Sequence, residues 1–370
     1  MKVLITGGAG FIGSHVAEEL LAAGHSVALF DNLDGQVHPG RRPPGYLPRG
    51  AVLHRGDVRR RAPLAKAIRS AEAILHLAAV VGVGQSQYQI HRYSDVNVCG
   101  TACLLDILAN ERHRVRRVVV AGSMSAYGEG AYDCARCGRV RPSIRTQKDV
   151  RGKRWDPACP SCGGPLSPRA TTEEDVFQSP STYAITKATQ ESLVLNYGRT
   201  YGVSCASLRF FNVYGPRQAL SNPYTGVAAI FLSRIKNGRP PVVYEDGEQT
   251  RDFVSVLDIA RACRLALEKE KAAGVALNIG TGHAVSIRHV AETLARLEGS
   301  EVAPELTQAF RKGDVRHCYP DVSLAGRVLG YRPRVAFDHG MRDLVAWGRG
   351  AEAKDYFARA DRELRRRGLL

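Results

Sequence analysis

Short apolar runs alternate along the chain with longer segments whose apolar residues recur at helical spacing. The first run, Val3 to Ile5, is followed by helical spacing over 14–21. Runs that are apolar on both faces are typical of strands buried in a parallel sheet, so the alternation predicts an α/β fold with helices on the sheet faces. The predicted strands are 3–5, 26–30, 51–58, 73–79, 117–123, 203–211 and 276–280, and the predicted helices are 14–21, 95–109, about 183–201, 222–237, 258–270, 286–298 and a charged surface helix at 355–367.

Three glycines connect the first strand to the first helix. Gly7, Gly10 and Gly13 occupy this turn, with Phe11 and Ile12 between the last two. A strand, a glycine turn and a helix together can hold a pyrophosphate, because the helix N-terminus offers unpaired N–H groups and glycine lets the backbone approach closely. The alternative is a turn that only packs the strand on the helix.

The ends of the next strands favour the cofactor interpretation. Asp31 ends the second strand, where a carboxylate accepts hydrogen bonds from an adenosine ribose and repels a 2′-phosphate, so we predict NAD. Asp57 is placed to bind the adenine amino group, and small residues at 77–79 permit a flat cofactor to lie across the strand end. The further candidate cofactor-binding residues are Asn32, Val58, Leu77, Ala78 and Ala79.

Two loops and one histidine give less specific indications of structure and function. The segment 35–50 is rich in glycine, proline and arginine and is predicted to be a surface loop. The weakly polar loop at 80–85 is a candidate wall of a substrate pocket and contains Val81. His76 lies inside an apolar strand, which favours a buried, hydrogen-bonded structural histidine over a catalytic one.

The charge and length limit the function classes. A formal charge of +16 suits either nucleic acid or diphosphate ligands, but the arginines are scattered rather than clustered, which argues against nucleic acid. No apolar run approaches membrane-spanning length, and the chain starts directly in a strand. We therefore expect a cytoplasmic protein with no membrane partner, in which nine cysteines do not form a disulfide framework.

Four of the cysteines form two C-x-x-C-G motifs. They are Cys134, Cys137, Cys159 and Cys162, separated by a polar stretch with little capacity to form a core. Two thiolate pairs on glycine turns complete a four-coordinate site with no open position, so we predict one structural Zn²⁺ per chain in preference to disulfides or redox chemistry. The zinc ribbon has the character of an insertion that serves as a flap or an oligomer contact.

A tyrosine and a lysine follow the insertion on one predicted helix. Tyr183 and Lys187 are four residues apart, so their side chains lie on one face and can converge on a ligand. Ser123 ends a buried strand at the carboxyl edge of the sheet, where open α/β sheets bind ligands. The alternative is an exposed lysine stacked on a surface tyrosine.

The motifs taken together resemble those of an extended short-chain dehydrogenase/reductase of the nucleotide-sugar epimerase/dehydratase group. Beyond the segments above, the resemblance rests on Asn97-x-x-Gly-Thr, Arg209-Phe-Phe-Asn-Val-Tyr-Gly-Pro-Arg217, Gly247-x-x-x-Arg-Asp-Phe-Val254 and Arg311-x-Gly-Asp314. The resemblance implies tightly bound NAD, with Asn97, Tyr183 and Lys187 among its contacts, and makes Ser123, Tyr183 and Lys187 catalytic. The residues it implies for the nucleotide sugar are Val81, Ser123, Tyr183, Asn212, Arg217, Tyr244, Arg251, Arg311 and Asp314.

The residues after Ser123 narrow the implied reaction. Dehydratases of the group carry an Asp-Glu pair there, whereas this chain has Met124 and Ser125. We therefore expect 4-epimerisation through a transient 4-keto sugar. Similarity at 81–86 and 219–226 favours a dTDP-6-deoxyhexose such as dTDP-L-rhamnose, followed by a UDP-hexose or UDP-uronic acid. The alternatives are a nucleotide-sugar dehydratase or net oxidoreductase, and a non-enzymatic NAD-sensing or nucleic-acid-binding protein.

The predicted organisation has two lobes and one insertion. Residues 1–205 form a Rossmann-like doubly wound parallel sheet that binds NAD, with the zinc ribbon inserted at 130–170. Residues 206–370 form mainly a smaller C-terminal α/β lobe for the nucleotide sugar, with about 250–282 returning to the first domain. The resemblance implies a homodimer formed through the helices at 95–109 and 183–201.

Overall fold

A parallel seven-stranded sheet forms the centre of the computed structural model, which describes residues 1–370. Its strand order is β14-β9-β5-β4-β1-β2-β3, and every neighbouring pair is parallel. The strands in chain order are β1 Lys2–Thr6, β2 Ser26–Asp31, β3 Val52–Arg55, β4 Ala73–His76, β5 Arg117–Ser123, β6 Ala131–Cys134, β7 Gly138–Val140, β8 Ser167–Arg169, β9 Ser204–Phe210, β10 Asn212–Tyr214, β11 Val242–Val243, β12 Thr250–Arg251, β13 Phe253–Ser255, β14 Ala276–Ile279, β15 Val285–Ser286, β16 Glu305–Leu306 and β17 His317–Cys318.

Twelve α-helices accompany the strands. They are α1 Phe11–Ala22, α2 Arg61–Ile68, α3 Val83–Ser86, α4 Ile90–Tyr93, α5 Gly100–Asn110, α6 Thr182–Tyr201, α7 Val227–Lys236, α8 Val256–Glu268, α9 Ile287–Glu298, α10 Ser323–Leu329, α11 Phe337–Gly350 and α12 Phe357–Arg366. A π-helical turn, Ser94–Cys99, joins α4 to α5. None of the helices is both long and apolar enough to cross a membrane.

Alternating side chains of the sheet pack into two separate cores. Val3 and Ile5 join the core that includes α1 and α8, whereas Leu4 joins the core on the opposite face with α2, α5 and α6. Helices therefore cover both faces, as the α/β interpretation of the sequence predicted. The direction in which successive strands are added reverses between β1 and β4. The chain first adds β2 and β3 on one side of β1 and then adds β4, β5, β9 and β14 on the other side. Such a switch point opens a crevice at the carboxyl ends of the strands.

The predicted boundary at residue 205 falls inside one strand of this sheet. β9 continues to Phe210 and pairs with both β5 and β14, so the sheet takes in residues up to 210 and returns for 276–279. The helix expected from 222 begins only at Val227. A third core, formed by α7, α9 and α11 with β13, belongs to the smaller lobe.

Two peripheral segments complete the molecule. The insertion between β5 and α6 forms a three-stranded antiparallel sheet in the order β7-β6-β8. The C-terminal α12 lies beside the first lobe, where a Cβ added to Gly84 would lie 3.3 Å from the Leu364 side chain. The guanidinium of Arg367, the residue after α12, lies 4.4 Å from the centre of the Tyr88 ring. The same segment reaches the second lobe, because Tyr244 donates a 3.1 Å hydrogen bond to Asp361.

Candidate active site

The glycine turn after β1 is packed too closely to accept side chains. Gly7 has φ +70°, and a Cβ there would lie 2.9 Å from the backbone N of Ala78. A Cβ on Gly13 would overlap the Gly7 carbonyl oxygen and lie 2.7 Å from the Gly8 Cα. Helix α1 begins here with no capping side chain and no acidic residue in its first turn. Its N–H groups therefore remain available for an anion such as a pyrophosphate.

The carboxylate at the end of β2 fixes the shape of this turn. Asp31 accepts hydrogen bonds from the backbone N–H groups of Ala9, at 3.0 Å, and Leu33, at 2.8 Å. Asn32 donates to Asp57 at 3.1 Å, and the hydrogen bonds from Arg59 hold the pKa of Asp57 well below its usual range. Asp57 thus stays an anion that orients Asn32 and Arg59 at the edge of the crevice.

One large cavity, of about 420 Å³, occupies the switch-point crevice and extends towards the smaller lobe. It brings together most of the residues that were predicted from the sequence to contact the cofactor and the reacting end of the substrate. The nominated residues that line it are Gly7, Gly10, Phe11, Ile12, Gly13, Asp31, Asn32, Val58, Leu77, Ala78, Ala79, Val81, Ser123, Tyr183, Lys187 and Asn212. An elongated crevice with a glycine turn at one end and a tyrosine and a lysine at the other fits a dinucleotide.

Ser123 and Tyr183 meet where β5 and α6 reach this cavity. The Ser181 side chain caps α6 by accepting a 3.1 Å hydrogen bond from the Ala184 N–H, which places Tyr183 in the first turn. Burial raises the pKa of Tyr183, and the neighbouring Ser123 hydroxyl acts in the opposite direction. The protein groups alone therefore favour the neutral phenol.

Lys187 is buried one turn further along α6. Its ammonium donates a 2.7 Å hydrogen bond to Gln190, and burial lowers the pKa of Lys187 to about 7, against an opposing effect of Glu191. Gln190 in turn donates to Thr101 at 2.8 Å, and Thr101 lies 2.9 Å from Nε2 of His76. This chain of buried polar groups fixes the direction of the lysine, and sequence reasoning missed Gln190 because it forms part of no motif.

His76 is a structural residue, as its apolar surroundings in the sequence predicted. Its Nδ1 lies 2.7 Å from the Thr6 hydroxyl, so both ring nitrogens have hydrogen-bond partners. Burial lowers the pKa of His76 to about 3, which keeps the ring neutral. The histidine therefore joins β1 and β4 beneath the glycine turn and is not a reacting group.

An unpredicted set of amides spans the cavity. Gln36, from the segment expected to be a surface loop, donates 3.2 Å hydrogen bonds to both Gln85 and Asn222. Gln85 donates back to Gln36 at 3.2 Å, and Arg92 donates to Gln36 at 3.1 Å. We call Gln36, Gln85 and Asn222 the amide roof, because they join the loop after β2 to the smaller lobe across the crevice. The loop 35–50 is largely exposed, as the sequence predicted, and Gln36 and His38 are among the residues that it contributes to the cavity lining.

Two residues assigned to the cofactor, Asn97 and Asp57, are not part of the cavity lining. Asn97 accepts a 2.8 Å hydrogen bond from the Val80 N–H and donates to the Val80 carbonyl at 3.1 Å, so it clamps the loop beside the cavity. Asp57, whose side chain is partly exposed at the edge of the crevice, is also absent from the lining, although its neighbours Gly56 and Val58 are part of it. Both residues act on the cavity through the backbone or side chains that they hold.

The residues nominated for the sugar diphosphate fall into three groups. Arg311 pairs with Asp314 at 2.8 Å and lies 5.5 Å from the centre of the Tyr244 ring, forming a wall outside the cavity lining. Arg251 lies beside them in β12 and donates to the carbonyls of Thr250 and Arg316. Arg217 is elsewhere, in a 2.6 Å ion pair with Glu18 of α1. This ion pair directs Arg217 towards α1, so the structure does not place it with the other two arginines.

The four cysteines of the insertion converge as their spacing predicted. Their sulfur atoms all lie within 4.8 Å of one another. The Sγ atoms of Cys134 and Cys162 are 3.5 Å apart, which is far longer than a disulfide bond. Four thiols at this separation fit the donor set of a tetrahedral zinc site.

A tyrosine and a lysine one turn apart on a helix, beside the switch-point crevice of a parallel sheet, define a dinucleotide-dependent protein of the short-chain dehydrogenase/reductase class. Comparison with known proteins agrees. The profile of the NAD dependent epimerase/dehydratase family matches residues 3–143 and 160–280. The chain therefore belongs to this family, and the predicted family and fold class are confirmed.

Individual relatives match nearly the whole chain. A dTDP-L-rhamnose 4-epimerase of Burkholderia thailandensis is 35% identical over 352 residues, which cover 94% of each chain. The structure of the UDP-glucose 4-epimerase of Thermus thermophilus in complex with NAD is similar, with a TM-score of 0.74, 32% identity and coverage of 95% of this chain and 100% of that one. The UDP-glucose 4-epimerase of Thermotoga maritima with UDP-glucose has a TM-score of 0.77, 29% identity and coverage of 94% and 99%.

Proposed function

We propose that the protein is an NAD-dependent 4-epimerase of nucleotide-diphosphate sugars. The observation that carries the proposal is the set of groups near Ser123 and Tyr183. The carboxylates that line the cavity are Asp31 and Asp34, both at the β2 end, and Met124 and Ser125 follow Ser123. Elimination of water needs an acid and a base beside the sugar, whereas epimerisation at C4 needs one proton path and a hydride acceptor. The residues near Ser123 and Tyr183 supply the proton path that epimerisation needs, but not the acid and base that elimination of water needs.

We propose one role for each of the three side chains at this end of the cavity. Tyr183 removes the proton of the sugar 4-hydroxyl and later returns it, and Ser123 hydrogen-bonds the same oxygen. Lys187, held by Gln190, stabilises the tyrosinate and binds the cofactor ribose. Bound NAD supplies the acceptor and donor of the hydride, so that C4 is transiently a ketone and no net redox change occurs. Because burial raises the pKa of Tyr183, the positive charge of a bound nicotinamide ring would favour its ionisation.

The nucleotide sugar is proposed to span the two lobes. Asn212 and Val81 contact the sugar end in the cavity, while Tyr244, Arg251, Arg311 and Asp314 form the diphosphate wall. Bidentate guanidinium groups suit diphosphate oxygens. A dTDP-6-deoxyhexose such as dTDP-L-rhamnose is the favoured substrate, supported by the Burkholderia relative, and a UDP-hexose or UDP-uronic acid is next. Arg217, whose guanidinium pairs with Glu18 at 2.6 Å, is proposed as a further diphosphate contact.

A panel of nucleotide sugars tests the proposed reaction. The purified protein is incubated with dTDP-L-rhamnose, UDP-glucose and UDP-glucuronic acid, and the products are identified by mass spectrometry and NMR. A C4 stereoisomer of unchanged mass, without net NADH, supports epimerisation. Loss of water identifies a dehydratase, stoichiometric NADH identifies a net oxidoreductase, and salt-sensitive nucleic-acid binding without turnover identifies the non-enzymatic alternative.

We propose that NAD stays bound through both half-reactions. The amide roof supports this, because the hydrogen bonds from Gln36 to Gln85 and Asn222 join the loop after β2 to the smaller lobe, and Gln36 and Asn222 both line the cavity. Tight retention suits an epimerase, which needs the same cofactor to accept the hydride and return it.

We propose that the four cysteines bind one structural Zn²⁺ per chain. Protein purified without chelator is expected to contain about one zinc by atomic absorption, as for a closed four-thiolate site. Cys137→Ser removes one ligand and is expected to lower the zinc content well below that of the wild type. Cys99→Ser, which changes an exposed cysteine outside the insertion, is the matched control. Wild-type protein without metal would contradict the proposal.

A cytoplasmic homodimer formed through α5 and α6 is also proposed. The two helices are neighbours, and α6 leaves the apolar side chains of Ile185 and Tyr201 more than half exposed, at 53% and 55%. Light scattering is expected to give twice the mass of the chain, and Ile185→Arg to shift the protein towards the monomer because a charge replaces a buried apolar contact. A monomeric mass for the wild type would refute the interface.

A further inference from the structure

A fully buried cluster of four charges lies between the insertion and the smaller lobe. It consists of Arg145, Glu129, Glu245 and Arg316, whose side chains are at most 3% exposed. Arg145 pairs with Glu129 at 3.1 Å and with both oxygens of Glu245, at 2.9 and 3.1 Å. Arg316 pairs with Glu245 at 2.9 Å, and its backbone N–H donates to Glu129 at 2.8 Å. Every charge therefore has a partner of opposite sign.

The insertion contributes the central member of the cluster. Arg145 lies between the two cysteine pairs, and its guanidinium also donates a 2.8 Å hydrogen bond to the Trp155 carbonyl. Trp155 and Val150 pack with Phe310 of the smaller lobe, and the Arg145 guanidinium lies 5.2 Å from the centre of the Phe310 ring. The long loop of the insertion is thereby fixed to the smaller lobe.

The groups that Arg145 holds are direct neighbours of the diphosphate wall. Phe310 and Glu245 adjoin Arg311 and Tyr244 in the sequence, and Arg145 also donates to the Asp314 carbonyl at 3.4 Å. Glu245 has φ +54°, a conformation that a non-glycine residue adopts only when its surroundings hold it there. Arg145 thus contacts residues on both sides of Arg311, and the residue that follows Tyr244.

Such a cluster is a costly way to join two segments. Burial of four charges loses hydration free energy that complete pairing only offsets, and apolar residues of similar volume would join the segments as well or better. Directional pairing instead fixes the relative positions of the groups, because a planar guanidinium donates to its partners only in its own plane. The cluster therefore defines the position of the wall more than it adds stability.

We propose that Arg145 is a positioning residue for nucleotide-diphosphate binding, and that the four-cysteine insertion serves to deliver it. The proposal rests on the proposed function and extends it to the insertion. Arg145 itself does not line the cavity, so it acts through Glu245 and the segment 310–316. Loss of Arg145 weakens the grip on the diphosphate and leaves the NAD site intact.

Two variants of the NAD-loaded enzyme test this role. Arg145→Met removes the fork, and Arg145→Lys keeps one charge but cannot reach Glu129, Glu245 and the Trp155 carbonyl together. Calorimetry with dTDP and UDP gives the dissociation constants, and steady-state kinetics gives KM and kcat. We expect both the dissociation constant of the diphosphate and KM to rise about tenfold or more in Arg145→Met and by less in Arg145→Lys. NAD content and kcat should change less than about twofold in either variant.

The control is Arg169→Ala, which removes an exposed arginine paired with Asp133 in the same insertion and should leave all these values unchanged. Unchanged diphosphate binding in a folded Arg145→Met variant would overturn the proposal, as would a fall in kcat without a change in KM. If Arg145→Met does not fold, wild-type values for Arg145→Lys overturn it. A wild-type enzyme that binds neither dTDP nor UDP refutes the proposed function itself, which is a separate result.

Discussion

Replacing Tyr183 with phenylalanine is expected to lower kcat by about 100-fold or more, as for the loss of a general base. The change removes one hydroxyl and keeps the ring, which packs edge-on against Tyr93 at 6.3 Å between ring centres. The Ser123 hydroxyl, which also reaches this end of the cavity, is too weak a base to replace it. Conversion of the accepted nucleotide sugar, followed by NMR, measures the loss.

The retained cofactor distinguishes this result from misfolding. Tyr183→Phe should carry as much NAD as the wild type, because the glycine turn and the amide roof are untouched. Tyr201→Phe is the matched control, since it removes a hydroxyl from an exposed tyrosine on the same helix. Turnover of Tyr183→Phe within a few-fold of the wild type would exclude Tyr183 as the base.

Gly13→Ala is expected to reduce the bound NAD from near one per chain to less than about a tenth of that, because a shift of the cradle removes close backbone contacts to the pyrophosphate. The added Cβ would overlap the Gly7 carbonyl oxygen and lie 2.7 Å from the Gly8 Cα. Both are backbone atoms, which cannot rotate away. The turn must therefore move, and the N–H groups of α1 move with it. Absorbance and mass spectrometry of NAD released by denaturing the purified protein give the content.

A glycine in open space provides the control. Gly350→Ala adds the same methyl group at the end of α11, where no atom lies within 4 Å of the new Cβ, and should leave the NAD content unchanged. Circular dichroism checks that Gly13→Ala is folded. A folded Gly13→Ala protein with full NAD content after gel filtration would contradict both the cradle and the assignment of its ligand.

The features that could be predicted from the sequence are those encoded by local spacing. Gly7 and Gly13 belong to one turn, Tyr183 and Lys187 to one helical face, and each cysteine pair to one knuckle. In each case the residues lie within a few positions of one another, so secondary structure alone brings them together. Buried apolar runs likewise determined the strands of the main sheet.

Contacts between distant segments could not be predicted in this way. Gln36 and Asn222 are neutral amides in loops, and only the folded chain brings them together. Arg217 and Glu18 are a second case, because their 2.6 Å ion pair joins residues 199 positions apart that no sequence motif connects. Short polar side chains and surface arginines have many possible partners, and the tertiary fold selects among them.

The position of the insertion between β5 and α6 also affects how the chain closes on itself. Residues 124–182 separate Ser123 from Tyr183, but Ala131 pairs with Arg169 at the base of the ribbon. Once the ribbon has formed, the flexible path between the two catalytic residues is shortened by 132–168, which lowers the entropic cost of loop closure by roughly 1 kcal/mol. The insertion thus lengthens the chain, but once its ribbon has folded it reduces the entropic cost of bringing Ser123 and Tyr183 together.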